Sequence, residues 1–178
     1  MFLNSYLKSN NQDKILIDNF YLKIVNVSRK KIFYKNLSVP DTFDGRFDLL
    51  VLFSIIIIYF LSKFGPKGHM LSQALFDKIF LDLDFTLREL GAGDAGVHIK
   101  IKNMVNSFMG RQKIYCTCLE KNDFGLLKIA LIKNVYRNVD SLNDSPDQLS
   151  NYCKEIYNVF DNKKEDYFLL NKFNFPKF

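Results

Sequence analysis

From Leu49 to Leu61 the chain reads LLVLFSIIIIYFL, about 13 residues with no charge. A helix drawn through this run has no polar face, so the rest of the fold has to surround it on every side. It would be roughly 20 Å long, against a hydrocarbon core of about 30 Å. Arg46 and Asp48 before it and Lys63 after it leave little room for extension. Four consecutive isoleucines also suit a strand, but the length and the flanking Asp and Gly residues favour a helix. The expectation is a central core helix wrapped by others.

The remaining 165 or so residues are sufficient to wrap it in one domain. Apolar residues make up 48% of the chain and aromatics 15%, the composition of a folded protein. Eight glycines and four prolines are few, which argues for helices over a turn-rich β architecture. The predicted class is all-α: one compact multi-helix bundle around a central apolar helix.

Punctuation divides the chain into successive helices. The first is predicted over about 13–27 and a short basic one over 29–37, ending where Pro40 forces Val39 out of the helical region. Asp44 is expected to cap the central helix, which runs to about Lys63 and stops at Gly65-Pro66. A fourth helix, about 70–90, carries Phe76, Ile79, Phe80, Leu83, Leu87 and Leu90 on one stripe. Gly91 suits its left-handed C-terminal cap and Asp94 the N-cap of the next. That fifth helix, about 97–119, buries Val97, Ile101, Met104, Val105, Phe108, Tyr115 and Leu119. Its charges are all basic, so an acidic helix is joined by a tight turn to a basic one, with Asp77 and Asp84 expected to meet Lys100 or Arg111. Asp123 is expected to cap a helix to about Arg137, and Ser145-Pro146-Asp147-Gln148 to start one reaching Phe160. The C-terminal helix and tail, about 145–178, end in either a docked arm or a frayed end.

Catalytic patterns are missing. There is no phosphate-binding glycine loop: Gly91-Ala92-Gly93 follows a helix and lacks the third glycine. No Glu-x-x-His pair exists for a di-iron bundle, and His69 and His98 have no ligand-spaced partner. Cys116, Cys118 and Cys153 form neither a C-x-x-C pair nor a zinc set, and read as free thiols of a reducing compartment. The N-terminus carries no secretory core and no Arg-rich transit character, which suits a bacterial cytoplasmic protein or a processed organellar one. A net charge of +6 suits an acidic partner without naming it.

Two stretches carry a resemblance. Pro40-Asp41-Thr42-Phe43-Asp44-Gly45-Arg46-Phe47-Asp48-Leu49 is similar to a P-D-[ST]-[FL]-D-G-R-F-[DE]-L signature. Downstream, in order, come Gln73–Asp77, Asp82-Leu83-Asp84, Leu87-Arg88-Glu89-Leu90-Gly91-Ala92-Gly93-Asp94, Lys102-Asn103-Met104 and Phe108-Met109-Gly110-Arg111. The ordered set, over roughly 20–140, resembles the ubiquinol–cytochrome c chaperone family. Phe53 stands where that family often has histidine, and Met109 where it often has an aromatic.

The resemblance implies a non-enzymatic, cofactor-free helical chaperone that binds newly made cytochrome b and promotes assembly of the cytochrome bc1 complex. It further implies work near the ribosomal exit tunnel with a small second assembly factor. A bacterial member would be cytoplasmic, with peripheral contact at the cytoplasmic face of the plasma membrane; DNA is not among the expected partners. Arg46, Asp77, Asp84, Arg88, Glu89, Lys102, Arg111 and Lys113 are the candidate partner-binding residues. Pro40, Asp41, Asp44, Gly45, Gly91, Gly93, Asp94 and Gly110 are expected to shape the backbone. Two other readings stay open: a peripheral membrane protein inserting the helix 49–61, and a metal- or haem-binding bundle using the acidic helix 70–94.

Overall fold

A computed structural model describes residues 4–137 and 143–178, and all secondary structure among them is helical. The elements are α1 (Asn4–Lys8), α2 (Asn11–Ser28), α3 (Lys31–Lys35), α4 (Phe43–Ser62), α5 (Gly65–Glu89), α6 (Asp94–Glu120), α7 (Phe124–Asn134), α8 (Ser145–Asp161) and α9 (Glu165–Leu169). The all-α expectation is met. The two five-residue helices at the ends, α1 and α9, have no periodicity to announce them in the sequence.

α4 is the axis of the bundle and packs on α2, α5, α6 and α8. Every residue from Phe47 to Leu61 is buried, Ser54 included, whose hydroxyl donates to the Leu50 carbonyl at 2.6 Å. Each large apolar side chain taken out of water there contributes about 1.5–3 kcal/mol, so the run determines where the core lies. The helix is long and apolar enough to cross a membrane, yet 89% of its most apolar 18-residue window is buried within the fold. Insertion in lipid would therefore mean dismantling the core.

Several boundaries differ from those expected. Thr42, not Asp44, caps α4, accepting from the Gly45 N–H at 3.1 Å; Asp44 lies in the first turn, where its charge complements the helix dipole. Gly93 is the N-cap residue of α6, and Asp94 is the first helical residue. Asp144 takes the N-cap position of α8 and Ser145 lies inside the first turn. α5 starts at Gly65, about five residues early, because Pro66 is tolerated in a first helical turn. Asp123 does cap α7, accepting from the Leu126 N–H at 2.8 Å, but the helix ends at Asn134 and not near Arg137. Leu90 is 70% exposed, outside the buried stripe that Phe76, Ile79, Phe80, Leu83 and Leu87 form as expected.

α5 and α6 do fold back on each other around Gly91 (φ +84), but not through the pairs expected between Asp77 or Asp84 and Lys100 or Arg111. Asp77 turns the other way: its carboxylate accepts from the backbone N–H groups of Ser5 (2.8 Å) and Tyr6 (3.4 Å) and from Gln73 (2.9 Å), docking α1. Asp84 pairs with Arg88 one turn along its own helix, and Arg88 also reaches Asp94. Phe76, Phe80 and Phe108 hold the α5–α6 contact, with ring centroids 4.7–5.8 Å apart. Apolar contact holds the two helices along their length, and the exposed Arg88–Asp94 pair bridges only the turn between them.

Candidate binding groove

The start of α4, the α5–α6 turn and the outer half of α6 enclose a groove of about 640 Å³. Phe43, Phe47, Leu87, Leu90 and Met104 supply its apolar lining, and Asp44, Asp48, Lys100, Asn103, Ser107, Arg111 and Arg137 its polar one. Phe43 and Leu90 stand at 41% and 70% exposure, large apolar side chains left open to a partner.

Asp48 lies in this lining with none of its side chain exposed. One carboxylate oxygen accepts from Arg111 Nη2 at 2.7 Å and the other from Arg137 Nη2 at 3.1 Å. Arg137 also approaches Asp44 at 3.5 Å, and the Arg111 guanidinium lies 5.8 Å over the Phe47 ring. Burial pushes the Asp48 carboxyl up to about 6, and the two arginines pull against that shift without cancelling it. At neutral pH it is still an anion, clamped between two cations. Arg137 holds its place from a left-handed backbone conformation, φ +55, which a side chain with a Cβ rarely adopts.

Gly45 shows why the first motif has its form. A Cβ there would lie 2.0 Å from the Pro40 carbonyl oxygen, so the Pro40 turn can lie against α4 only over a glycine. Asp41 and Arg46 close the same corner at 2.8 Å, both half exposed, with the guanidinium 5.5 Å from the Tyr34 ring. At Gly93 and Gly110 an added Cβ would meet nothing within 4 Å.

Of the candidate partner-binding residues, only Arg111 lines the groove. Arg46 belongs to the corner, Asp77 to the α1 contact, and Arg88 with Asp84 to a surface pair. Glu89, Lys102 and Lys113 are exposed, and none of the three is in an ion pair with another described residue. Asp48 closes the first motif but, like Arg137, is not among the candidate site residues read from the sequence. A carboxylate one residue from an entirely apolar run was a usable signal, since such a group is buried only with a partner. Arg137 had none, for it is the turn after α7 that carries it to α4.

Burial raises the Cys116 and Cys118 thiols to about 11 and the Cys153 thiol higher still, so all three stay protonated at neutral pH. Among the described residues no group of three His, Cys, Asp or Glu side chains is placed to hold a metal ion.

Both motif stretches thus meet in one groove. The sequence profile of the family described as ubiquinol–cytochrome C chaperone matches residues 35–175. The chain belongs to this chaperone family. The match starts later than the motifs suggested and reaches past α9, so the family pattern includes α7, α8 and most of the tail. The fold agrees: the crystal structure of the Cbp3 homolog from Brucella abortus superimposes with a TM-score of 0.83 at 26% identity, covering 99% of this chain and 97% of that one. No curated protein matches the sequence. As a member of a chaperone family for the ubiquinol–cytochrome c complex, the chain is an assembly factor of the bc1 complex.

Proposed function

We propose that this family member is a non-catalytic chaperone that holds a segment of newly made cytochrome b in the α4–α5–α6 groove. One observation carries the reading: both signature stretches converge on an open groove with exposed apolar rims and a clamped ionic base. Its volume is that of a site for a few side chains, and Phe43, Leu87, Leu90 and Met104 suit the apolar side chains of a membrane-protein helix. The Asp48–Arg111–Arg137 cluster gives such a surface polar positions that fix orientation, with cations in excess. The reading extends to the cytoplasmic side of a bacterial plasma membrane, where the exposed Lys102 and Lys113 of α6 would face anionic lipid or ribosomal RNA near the exit tunnel. A small second assembly factor belongs to the same proposal.

The test is a photo-crosslinking residue at Leu90, on the rim, expressed in the native organism and analysed by mass spectrometry of the adducts. Cytochrome b peptides are expected, and they should disappear when Phe43 and Met104 are both replaced by Asp. An unrelated client at that position, or cytochrome b adducts indifferent to the double replacement, would sink the proposal.

A further inference from the structure

Beyond α9 the chain leaves helical structure at Asn171, held at φ +54, and its last residues lie against α2, α3, α4 and α8. None of the groups they touch lines the groove described above. Phe173 is fully buried, edge-on to Phe20 at 5.2 Å and Phe160 at 5.8 Å. The Lys23 ammonium lies 4.4 Å from the Phe173 ring and donates to the carbonyls of Asn171 and Phe173. Up to this point the tail is anchored by charge, ring contact and burial together.

Past Phe173 the hold changes. Phe175 meets Phe53 at 5.7 Å and Phe160 at 6.0 Å, and Phe178 meets Tyr152 at 5.0 Å and Phe33 at 5.6 Å. The Tyr152 hydroxyl donates to the Pro176 carbonyl at 2.9 Å. No backbone–backbone hydrogen bond joins residues 174–178 to the rest of the described chain. Asn174 and Lys177 point to solvent, Phe175 is half buried and Phe178 is 41% exposed. Two rings and one hydrogen bond therefore order five residues, a weak hold against the backbone entropy that ordering removes. Opening the arm would bare an apolar floor of Phe33, Phe53 and Tyr152, side chains otherwise in the core.

We propose that residues 174–178 are the resident, displaceable occupant of a second peptide site. Its ligand is a non-helical segment of another polypeptide with two aromatic side chains three residues apart and a proline directly after the first. The resident arm defines that chemistry: Phe175 and Phe178 fill the two seats, Pro176 has no N–H to leave unpaired, and Tyr152 takes the proline carbonyl. Pre-ordered proline-containing segments are suited to aromatic-lined surfaces because they lose less entropy on binding.

The experiment titrates a fluorescent peptide of sequence KFNFPKF into the full chain and into a chain ending at Phe173, read by anisotropy. The shortened chain is expected to bind it saturably. The full chain should bind at least about tenfold more weakly, because its tethered arm competes at an effective concentration in the millimolar range. A peptide with both of its last two phenylalanines replaced by alanine should bind neither. Should the shortened chain lose its helical circular dichroism, the full chain carrying Phe175→Ala and Phe178→Ala replaces it, with the same gain over the native arm expected. A folded shortened or doubly substituted chain without saturable binding, or equal affinity in both chains, would overturn the second site.

Discussion

Asp48 is the residue on which burial and charge conflict most directly. Its carboxylate is wholly buried and Arg111 keeps only 12% of its side chain exposed, so replacing Asp48 with Ala leaves an uncompensated cation in the core. That loss should cost about 3–5 kcal/mol, measured as a fall in the urea midpoint. Arg46→Ala breaks a pair whose two side chains are each 54% exposed, and should cost no more than about 1 kcal/mol. Asp48 also predicts a pH dependence. Its folded-state value near 6 lies above the ordinary 3.8, so between about pH 4 and 6 the folded protein holds a proton that the unfolded chain releases. Its contribution to stability is thus greatest below pH 4 and is lost as pH rises through 6. Asp48→Asn should flatten that part of the profile, and urea midpoints of both proteins from pH 4 to 7 would measure the difference. Gly45 gives a steric prediction: its added methyl group would collide with backbone, the Pro40 carbonyl, which cannot rotate aside. Gly45→Ala should cost at least about 2–3 kcal/mol in the same assay, whereas Gly110→Ala, in open space, should be neutral or slightly stabilising.

Among the elements, α4 and α1 mark the two extremes of stability. α4 is enclosed by α2, α5, α6 and α8, and its amides should exchange only on global unfolding. α1 is a single short helix against α5, and Asp77 is its main polar anchor through two backbone N–H groups. Asp77→Ala should release it at a cost of about 1–3 kcal/mol, the range for charged hydrogen bonds lost at a partly buried site. Hydrogen exchange and protease cleavage over residues 4–10 should rise sharply while α4 stays protected. Unchanged protection of α1 would mean that its apolar contacts suffice. The α5–α6 pair illustrates the same ordering of forces. Its complementary charges suggested a register, but three phenylalanines set it and the charges found other partners.

Over the whole molecule, the excess positive charge is a surface property, and Lys102 and Lys113 place part of it on the outer side of α6. Reversing both to Glu should leave the urea midpoint within about 0.5 kcal/mol of the native protein, since neither contacts the core. If α6 faces anionic lipid, each lysine near the surface is worth about 1 kcal/mol, so co-sedimentation with phosphatidylserine-containing vesicles should weaken by at least about tenfold. Unaltered vesicle and ribosome binding in the reversed variant would remove this face from the proposed function.

The sequence alone fixed what depends on near neighbours along the chain. An apolar run without a polar face pointed to a core helix, the Pro40 and Gly91 corners to breaks between helices, and the ordered motifs Pro40–Leu49 and Leu87–Arg111 to the family. Most caps were misplaced by a residue or two, because Thr42, Asp44, Gly93 and Asp94 are all chemically able to sit at a helix start. What the tertiary structure decided was partnership. Arg111 meets Asp48 and not Asp77 or Asp84, Arg137 arrives from beyond α7 to complete the cluster, and the tail docks instead of fraying. The physical reason is that apolar burial sets the arrangement of the helices at kcal/mol per side chain, while a surface charge gains too little from any one partner to alter it. Ionic partners are therefore chosen last, by whatever proximity the packed core leaves, and that proximity is not written in the spacing of residues along the chain.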